Sequence, residues 1–393
     1  MSRGRIAYVG ADRQVHVVGP RGGAHRQVTY GQGPGAISAW GVPQARDHSS
    51  WPCWSPNGEW LACFQNQAAR DGEGPAWLTV LEVDGVEERR LTQLPDGLPL
   101  YIQWNAQGHR VAALTQVEDL LELAVCEVEV VGAHRLVEQG VPLFFSWFPD
   151  GRRILVHTGE REGAKRLVQR AADGDGFDAV FDDPPGSFCT PLVLGDEVIY
   201  VSPRGPVADL CSADLEGHRN RVLAELEGLV AVVPSPQAGV VAYSSAARGS
   251  EALYDGVWLI RTDGRQEQRR IYDGPVKSFF WAPGGAQILV AAPAPRHPGM
   301  SWSLVDIETG TVRYLATFWP SQDQLFYLHF FEQFSQSHPL LSPDGTLLVY
   351  AGHPSPDIDN DDVRSRIFVV DITAEEPAPV EIALGDFAVF SPH

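Results

Sequence analysis

Short strand-like runs recur along the chain, apolar in IAYV from Ile6 and RIFVVDIT from Arg366 and alternating polar with apolar positions at a period of two in QVHVV from Gln14. That period belongs to strands whose successive side chains face opposite ways. The runs are short and separated by turns rich in Pro, Gly, Asp and Asn, and one pattern recurs among them. It is an aromatic residue, then S/A-P-D/N-G or a variant, two variable residues and an apolar strand. The copies are WSPNGEWLA from Trp54, WNAQGHRVA from Trp104, WFPDGRRIL from Trp147, PSPQAGVVA from Pro234, WAPGGAQIL from Trp281 and LSPDGTLLV from Leu341, with a degenerate PLVLGDEVIY from Pro191. Each reads as a hairpin, in which an apolar strand enters, Pro and Gly make a tight turn and a β-branched strand leaves.

Two more strands follow in most copies, so that each repeat supplies four antiparallel strands, the content of one propeller blade. Successive copies start 50, 43, 44, 43, 47 and 60 residues apart, which are blade-sized intervals with insertions. The motif begins once more at Phe387 and stops after one strand, at His393. The strands from Ile6, Gln14 and Arg26 would complete that sheet, so the termini are expected to share a blade and close the ring. The expectation is therefore an all-β chain, with residues 1–393 forming a single closed propeller of eight blades, or seven if the repeat from Pro191 is not independent. Residues 318–339 are expected to form a helical insertion.

The WSPDG-like turns and the DG turn before RRLT resemble the TolB-like and WD-type propeller repeat, which also occurs in the propellers of prolyl-oligopeptidase and dipeptidyl-peptidase enzymes. The resemblance covers nearly the whole chain and implies the fold, because propellers host many unrelated activities. The peptidases of that kind add a hydrolase domain with a GxSxG elbow, and no GxSxG occurs here.

Composition narrows the function classes. With 50 acidic against 30 basic residues the net charge is −20, and no stretch gathers Lys or Arg into a basic stripe, which argues against nucleic acid as a partner. Five cysteines with no CxxC pair fit neither a disulfide framework nor a zinc ribbon and read as core residues. The N-terminus alternates like a strand and lacks the apolar run of a signal peptide, and no stretch approaches a membrane span, so a cytoplasmic, monomeric protein is expected.

In a blade, the turns between the first and second strands and between the third and fourth emerge on one face, and the remaining loops on the other. Long insertions fall in the second set, at 31–52, 65–75, 244–256, 293–301, 318–339 and 352–364, and binding is expected on the face that carries them. The insertion 318–339 is rich in Phe and predicts a helix from Ser321 to about Phe334, with Ser321 and Gln324 as a capping box and Leu325, Leu328 and Phe331 on its apolar face. It would either plug the channel mouth or offer an aromatic binding surface. Ligand-contacting candidates near that mouth are Trp40, Asp47, His48, Trp51, Tyr101, Lys277, His338 and His353, a mixture of aromatic and polar groups suited to peptide or small-molecule capture.

No cofactor is expected. Calcium is the metal with a partial ligand pattern, from Asp357, Asp359 and Asp361, which place oxygens at alternate positions but lack the Gly and terminal Glu of an EF-hand. The reading that follows is a non-catalytic binding scaffold for a protein, peptide or small ligand. The alternatives are a metal-dependent lyase or lactonase centred on His48, His338 and His353, and a propeller subunit that partners a hydrolase on another chain.

Overall fold

The computed structural model describes residues 4–31, 47–69, 72–85, 87–94, 97–160, 163–173, 179–186, 189–246, 253–265, 267–295, 298–353 and 364–393. They fall into two compact units. One comprises Met1–Leu136, Pro320–Gln324 and Ser337–His393, the other Val137–Trp319 and Leu325–Gln336.

In the first unit, strands β1 (Ile6–Gly10), β2 (Val15–Val18) and β3 (Arg26–Gln27) run antiparallel, and β4 (His48–Trp54), β5 (Trp60–Ala69), β6 (Gly72–Glu82) and β7 (Glu88–Gln93) form a four-stranded meander. Strands β8 (Leu98–Trp104), β9 (Arg110–Val117) and β10 (Leu120–Glu127) repeat the arrangement, and β11 (Arg135–Gly140) carries the chain into the second unit. There, four further meanders follow in chain order. They are β12 (Leu143–Trp147), β13 (Arg153–Gly159), β14 (Lys165–Ala171) and β15 (Ala179–Val180); then β16 (Leu192–Leu194), β17 (Glu197–Arg204), β18 (Val207–Ala213) and β19 (Arg219–Glu227). After these come β20 (Val230–Pro234), β21 (Val240–Ala246), β22 (Tyr254–Arg261) and β23 (Arg269–Val276), and finally β24 (Ser278–Trp281), β25 (Gln287–Pro293), β26 (Met300–Asp306) and β27 (Val312–Pro320). The degenerate repeat from Pro191 thus builds a sheet of its own. Helices α1 (Gln322–His329) and α2 (Phe331–Phe334) precede β28 (Leu347–His353), β29 (Arg366–Asp371) and β30 (Pro379–Phe390).

The recurring turn has one construction. Gly58, in a left-handed conformation at φ +68°, donates its N–H to the Ser55 carbonyl. Gly108, Gly151, Gly285 and Gly345 repeat this, each bonded three residues back, which is why glycine closes the motif. The motif's aromatic has a separate task. Trp104 Nε1 donates to the Cys53 carbonyl at 3.0 Å, and Trp281 Nε1 to the Val233 carbonyl at 3.1 Å, so each indole ties its sheet to the first strand of the sheet before it.

Cores form between neighbouring sheets. In the second unit, Phe148, Leu155 and Leu167 meet Val198, Tyr200 and Cys211, and Ile199, Val201 and Leu210 meet Val232, Val241 and Tyr243. In the first unit, β30 serves two partners. Residues 379–384 pair with β29, and Gly385, Phe387, Ala388, Val389 and Phe390 pair with β1, placing Phe390 opposite Ile6. The terminal strands therefore share one sheet, as the repeat phase implied.

Two expectations about the insertions are corrected. Residues 65–75 are largely an extended hairpin of β5 and β6 rather than a loop. The helix expected from 321 to 334 is two helices broken at Phe330, whose φ of −108° and ψ of 31° leave the helical region, and Leu325 is 47% exposed instead of joining the apolar face. Ser321 Oγ does accept the Gln324 amide at 3.1 Å, but the Gln324 side chain turns away from the cap and accepts the Ala351 N–H at 3.0 Å.

Phe390 is fully buried in the β30–β1 pairing region. Phe390→Ala should cost about 3–5 kcal/mol, the usual range for a truncated core phenylalanine, and removal of residues 387–393 should cost more; urea unfolding checks both. A truncated chain that unfolds at the wild-type midpoint would show that the shared sheet is dispensable.

Candidate functional site

In a regular strand only alternate residues face one way, yet Gln65, Asn66 and Gln67 all line a single pocket in the first unit. Local register explains it. Pairing shifts between Ser50 and Cys53 on β4, between Asn66 and Ala68 on β5, and between Leu78 and Thr79 on β6. Such bulges re-aim side chains, and here one occurs in each of three successive strand pairs. The pocket is an open depression completed by Gln14, Tyr30, Gly31, Asp47, His48, Ser49, Trp77 and Arg90.

Its polar groups are partly committed. Gln14 Nε2 donates to the Asp47 carbonyl at 2.8 Å, while Gln14 Oε1 accepts Thr29 Oγ1 at 3.0 Å. Asn66 Nδ2 donates to His48 Nε2 at 2.7 Å, which leaves the other ring nitrogen of a neutral His48 carrying the proton. Thr79 Oγ1 donates to Gln65 Oε1 at 2.9 Å. The Arg90 guanidinium lies 5.9 Å from the Trp77 ring centre and pairs with Glu88 at 3.4 Å. Two sequence candidates, Asp47 and His48, are therefore brought together, beside partners that the sequence reading missed.

Three others meet elsewhere in the same unit. Trp51, held at φ +53°, packs edge-on against Phe387 at 5.0 Å. Tyr101 and His338 lie 5.6 Å apart and are joined by Ser337, whose hydroxyl is 2.6 Å from the Tyr101 hydroxyl and 2.7 Å from His338 Nδ1. His338 and Tyr101 are almost wholly buried. Burial drives His338 down to about 3, against a backbone hydrogen bond to Trp51 that raises it, so the ring is neutral near pH 7. The neighbouring Cys53 thiol is pushed up to about 12 by burial, far from a reactive thiolate.

In the second unit the helical insertion is docked by polar side chains onto strand backbone. Gln333 accepts the Phe145 N–H at 2.9 Å and donates to the Phe145 carbonyl at 2.8 Å, and Glu332 Oε1 accepts the Val232 N–H at 2.7 Å. Tyr327 stacks on Phe280 at 5.5 Å and Phe331 meets Phe279 edge-on at 5.0 Å. Burial lifts the Glu332 carboxyl to about 8 despite the Val232 amide, and the Cys189 thiol lies 3.9 Å from it. Lys277, lowered by burial, lies with Nζ 2.9 Å from His329 Nδ1. His353, at the end of β28 in the first unit, lies 3.3 Å from Ser365 Oγ. Trp40, Asp357, Asp359 and Asp361 lie outside the described residues. Among the described residues no group of three or more His, Cys, Asp or Glu could hold a metal ion, and no helix is long and apolar enough to cross a membrane.

No family model matches the chain, and no curated protein sequence does. Solved structures do match. Dihydro-heme d1 dehydrogenase NirN in complex with DHE superposes with a TM-score of 0.58 at 13% identity, over 99% of this chain and 75% of that one. The β-propeller domain of the trilobed protease from Pyrococcus furiosus gives a TM-score of 0.53 at 11% identity, over 85% of this chain and 97% of that one. The fold is a β-propeller. A puromycin-hydrolysing peptidase of Mycobacterium tuberculosis gives 0.55 at 15% identity, over 90% of this chain and 55% of that one, so the propeller chain spans about half of the peptidase's length. At these identities the likeness concerns fold alone, as the repeat's resemblance to the TolB and peptidase propellers had implied.

Two consequences concern the docked insertion. Gln333→Ala leaves the Phe145 N–H and carbonyl without their partner and should cost about 1–3 kcal/mol in chemical denaturation. For Glu332 the folded value of about 8 stands above the ordinary 4.5, so its contribution to stability is complete below pH 4.5 and is lost as pH rises through 8. Glu332→Gln, which keeps an acceptor for Val232, should flatten that alkaline loss in unfolding measured between about pH 5 and pH 9. An unchanged slope would place the titration elsewhere.

Proposed function

We propose that this propeller is a non-catalytic binding scaffold and that its recognition site is the amide-lined pocket of the first unit. The observation that carries the reading is convergence. Gly31 and Asp47 belong to the long insertion expected at 31–52, Gln65, Asn66 and Gln67 belong to the extended β5–β6 hairpin, and all five line the same pocket. Insertions placed on a rigid sheet are where a propeller gains specificity.

The chemistry of the unit favours capture over turnover. In the pocket His48 is held by Asn66, and away from it Cys53 and His338 are spent on buried packing. The pocket instead offers the amides of Gln65 and Gln67, the rings of Tyr30 and Trp77, and side chains of opposite charge in Asp47 and Arg90. A few convergent polar groups beside aromatic surface are the usual makings of a ligand site.

The test is ligand-induced thermal stabilisation across small-molecule and peptide libraries, run in parallel on the wild type and on a Gln67→Ala/Trp77→Phe variant. A ligand present at about one hundred times its Kd should stabilise the wild type by about 2.7 kcal/mol and the variant by clearly less. Ligands that stabilise both proteins equally would move the site away from this pocket.

A further inference from the structure

We infer that residues 325–336 form a detachable clasp on the second unit, which opens by itself, ahead of the sheets it holds, when the Glu332 carboxyl loses its proton. The device lies in the second unit and is independent of the pocket in the first.

The clasp is held by few groups. The chain joins the second unit at Leu325 and leaves it after Gln336. Within that span Glu332 takes the Val232 N–H of β20, Gln333 closes on both backbone groups of Phe145 in β12, and Gln336 Oε1 accepts Ser146 Oγ at 2.8 Å. Packing of Tyr327 on Phe280 and of Phe331 on Phe279 adds β24 and keeps the clasp closed near neutrality. Neither of the two cores that join the sheets β12–β15, β16–β19 and β20–β23 contains a residue of the clasp, so those sheets keep their packing when it opens. Its helices, eight and four residues long and broken at Phe330, fall below the ~12–15 residues at which an isolated helix is even marginal. Once lifted off, the segment has little to hold its form.

Glu332 is where the clasp is weakest. Its side chain is almost wholly buried, and it meets one backbone N–H at 2.7 Å and the Cys189 thiol at 3.9 Å. Among the described residues no cation pairs with it. Tyr254 on β22 also faces its charge; burial pushes Tyr254 and Cys189 up from ordinary values of 10 and 9, so both stay neutral where Glu332 titrates. The basic groups beside the clasp, His329 and Lys277, lie 2.9 Å from each other, and burial lowers both. A lowered base favours the closed form more as pH rises, which is opposite in sign to Glu332. The Glu332 carboxyl stands at about 8 when enclosed and returns toward 4.5 when exposed, so opening releases a proton and its equilibrium constant rises about tenfold per pH unit between those values.

Native-state hydrogen exchange of the full chain is the test. The Phe334 and Ser335 amides, bonded to the Phe330 and Phe331 carbonyls, are compared with amides of β21, which is paired on both sides, between about pH 5.5 and pH 7.5 and after correction for the intrinsic pH dependence of exchange. The clasp amides should be less protected than those of β21, should respond weakly to urea because little surface is exposed, and should lose protection about tenfold per pH unit. Glu332→Gln should abolish the pH slope, whereas Gln333→Ala should lower clasp protection at every pH and keep the slope; melting curves verify that each variant folds. Clasp and β21 amides that share one protection factor and one urea dependence would show that the segment opens only with the whole unit, and overturn the inference. A slope that survives Glu332→Gln, or wild-type clasp protection that does not change with pH, overturns it as well.

Discussion

A four-stranded antiparallel sheet has two faces to bury and two edges whose N–H and C=O groups need partners, and this chain is organised around those needs. In the second unit the faces are covered by the next sheet in sequence, which is why the cores there lie between sheets. The first-strand edges are met by specific side chains. Trp104 reaches back to Cys53 and Trp281 to Val233, while Gln333 closes on Phe145 and Glu332 on Val232. At Trp104 and Trp281 the recurring aromatic is thus a hydrogen-bonding strut as well as a packing residue, whereas at Trp54 and Trp147 it serves packing alone. The insertion on α1 and α2 performs, for strands β12 and β20, a task that regular repeats leave undone.

That division explains what was legible in the sequence. The repeat could be read because each feature is local: a glycine at φ near +70°, a proline before it, an indole at fixed spacing and a period-two strand. The shared terminal sheet followed from phase alone, since FAVF at 387–390 begins a motif whose remaining strands exist only near Ile6. The pocket could not be read in this way. It depends on three register shifts that break the period-two rule at Ser50, Asn66 and Leu78, and nothing in the alternation announces a bulge. Asp47 and His48 were reached because they lie in a long insertion; Gln14 and Trp77 looked like ordinary strand residues, and Gln65 and Gln67 fell in the insertion expected at 65–75 without being singled out.

Of the eight ligand candidates, Tyr101 and His338 meet through Ser337 and Trp51 packs against Phe387, all three buried, whereas Lys277 lies in the second unit and His353 beside Ser365. Trp51 and Tyr101 lie inside the first strands β4 and β8, so burial of those strands encloses them. Glu332 is enclosed in the same way, lying in α2 between the buried Phe331 and Phe334.

The cost of enclosing Glu332 bears on how the two kinds of polar residue should be distinguished. A carboxyl lifted to about 8 is neutral in the folded protein near pH 7 and then differs little from a glutamine in what it offers Val232. Gln333, one position on, performs the equivalent task for Phe145 without titrating. Both side chains have their main capacity used by backbone, as is general for buried polar groups that specify packing. In the pocket Gln65 accepts from Thr79 Oγ1 and Asn66 donates to His48, so these side chains are engaged too, and a buried indole N–H without a partner occurs at Trp77 as it does at the framework residues Trp54 and Trp147. What sets the pocket side chains apart is therefore their place beside three register shifts, where an irregular strand turns adjacent residues to one side, and not unmet hydrogen-bonding capacity.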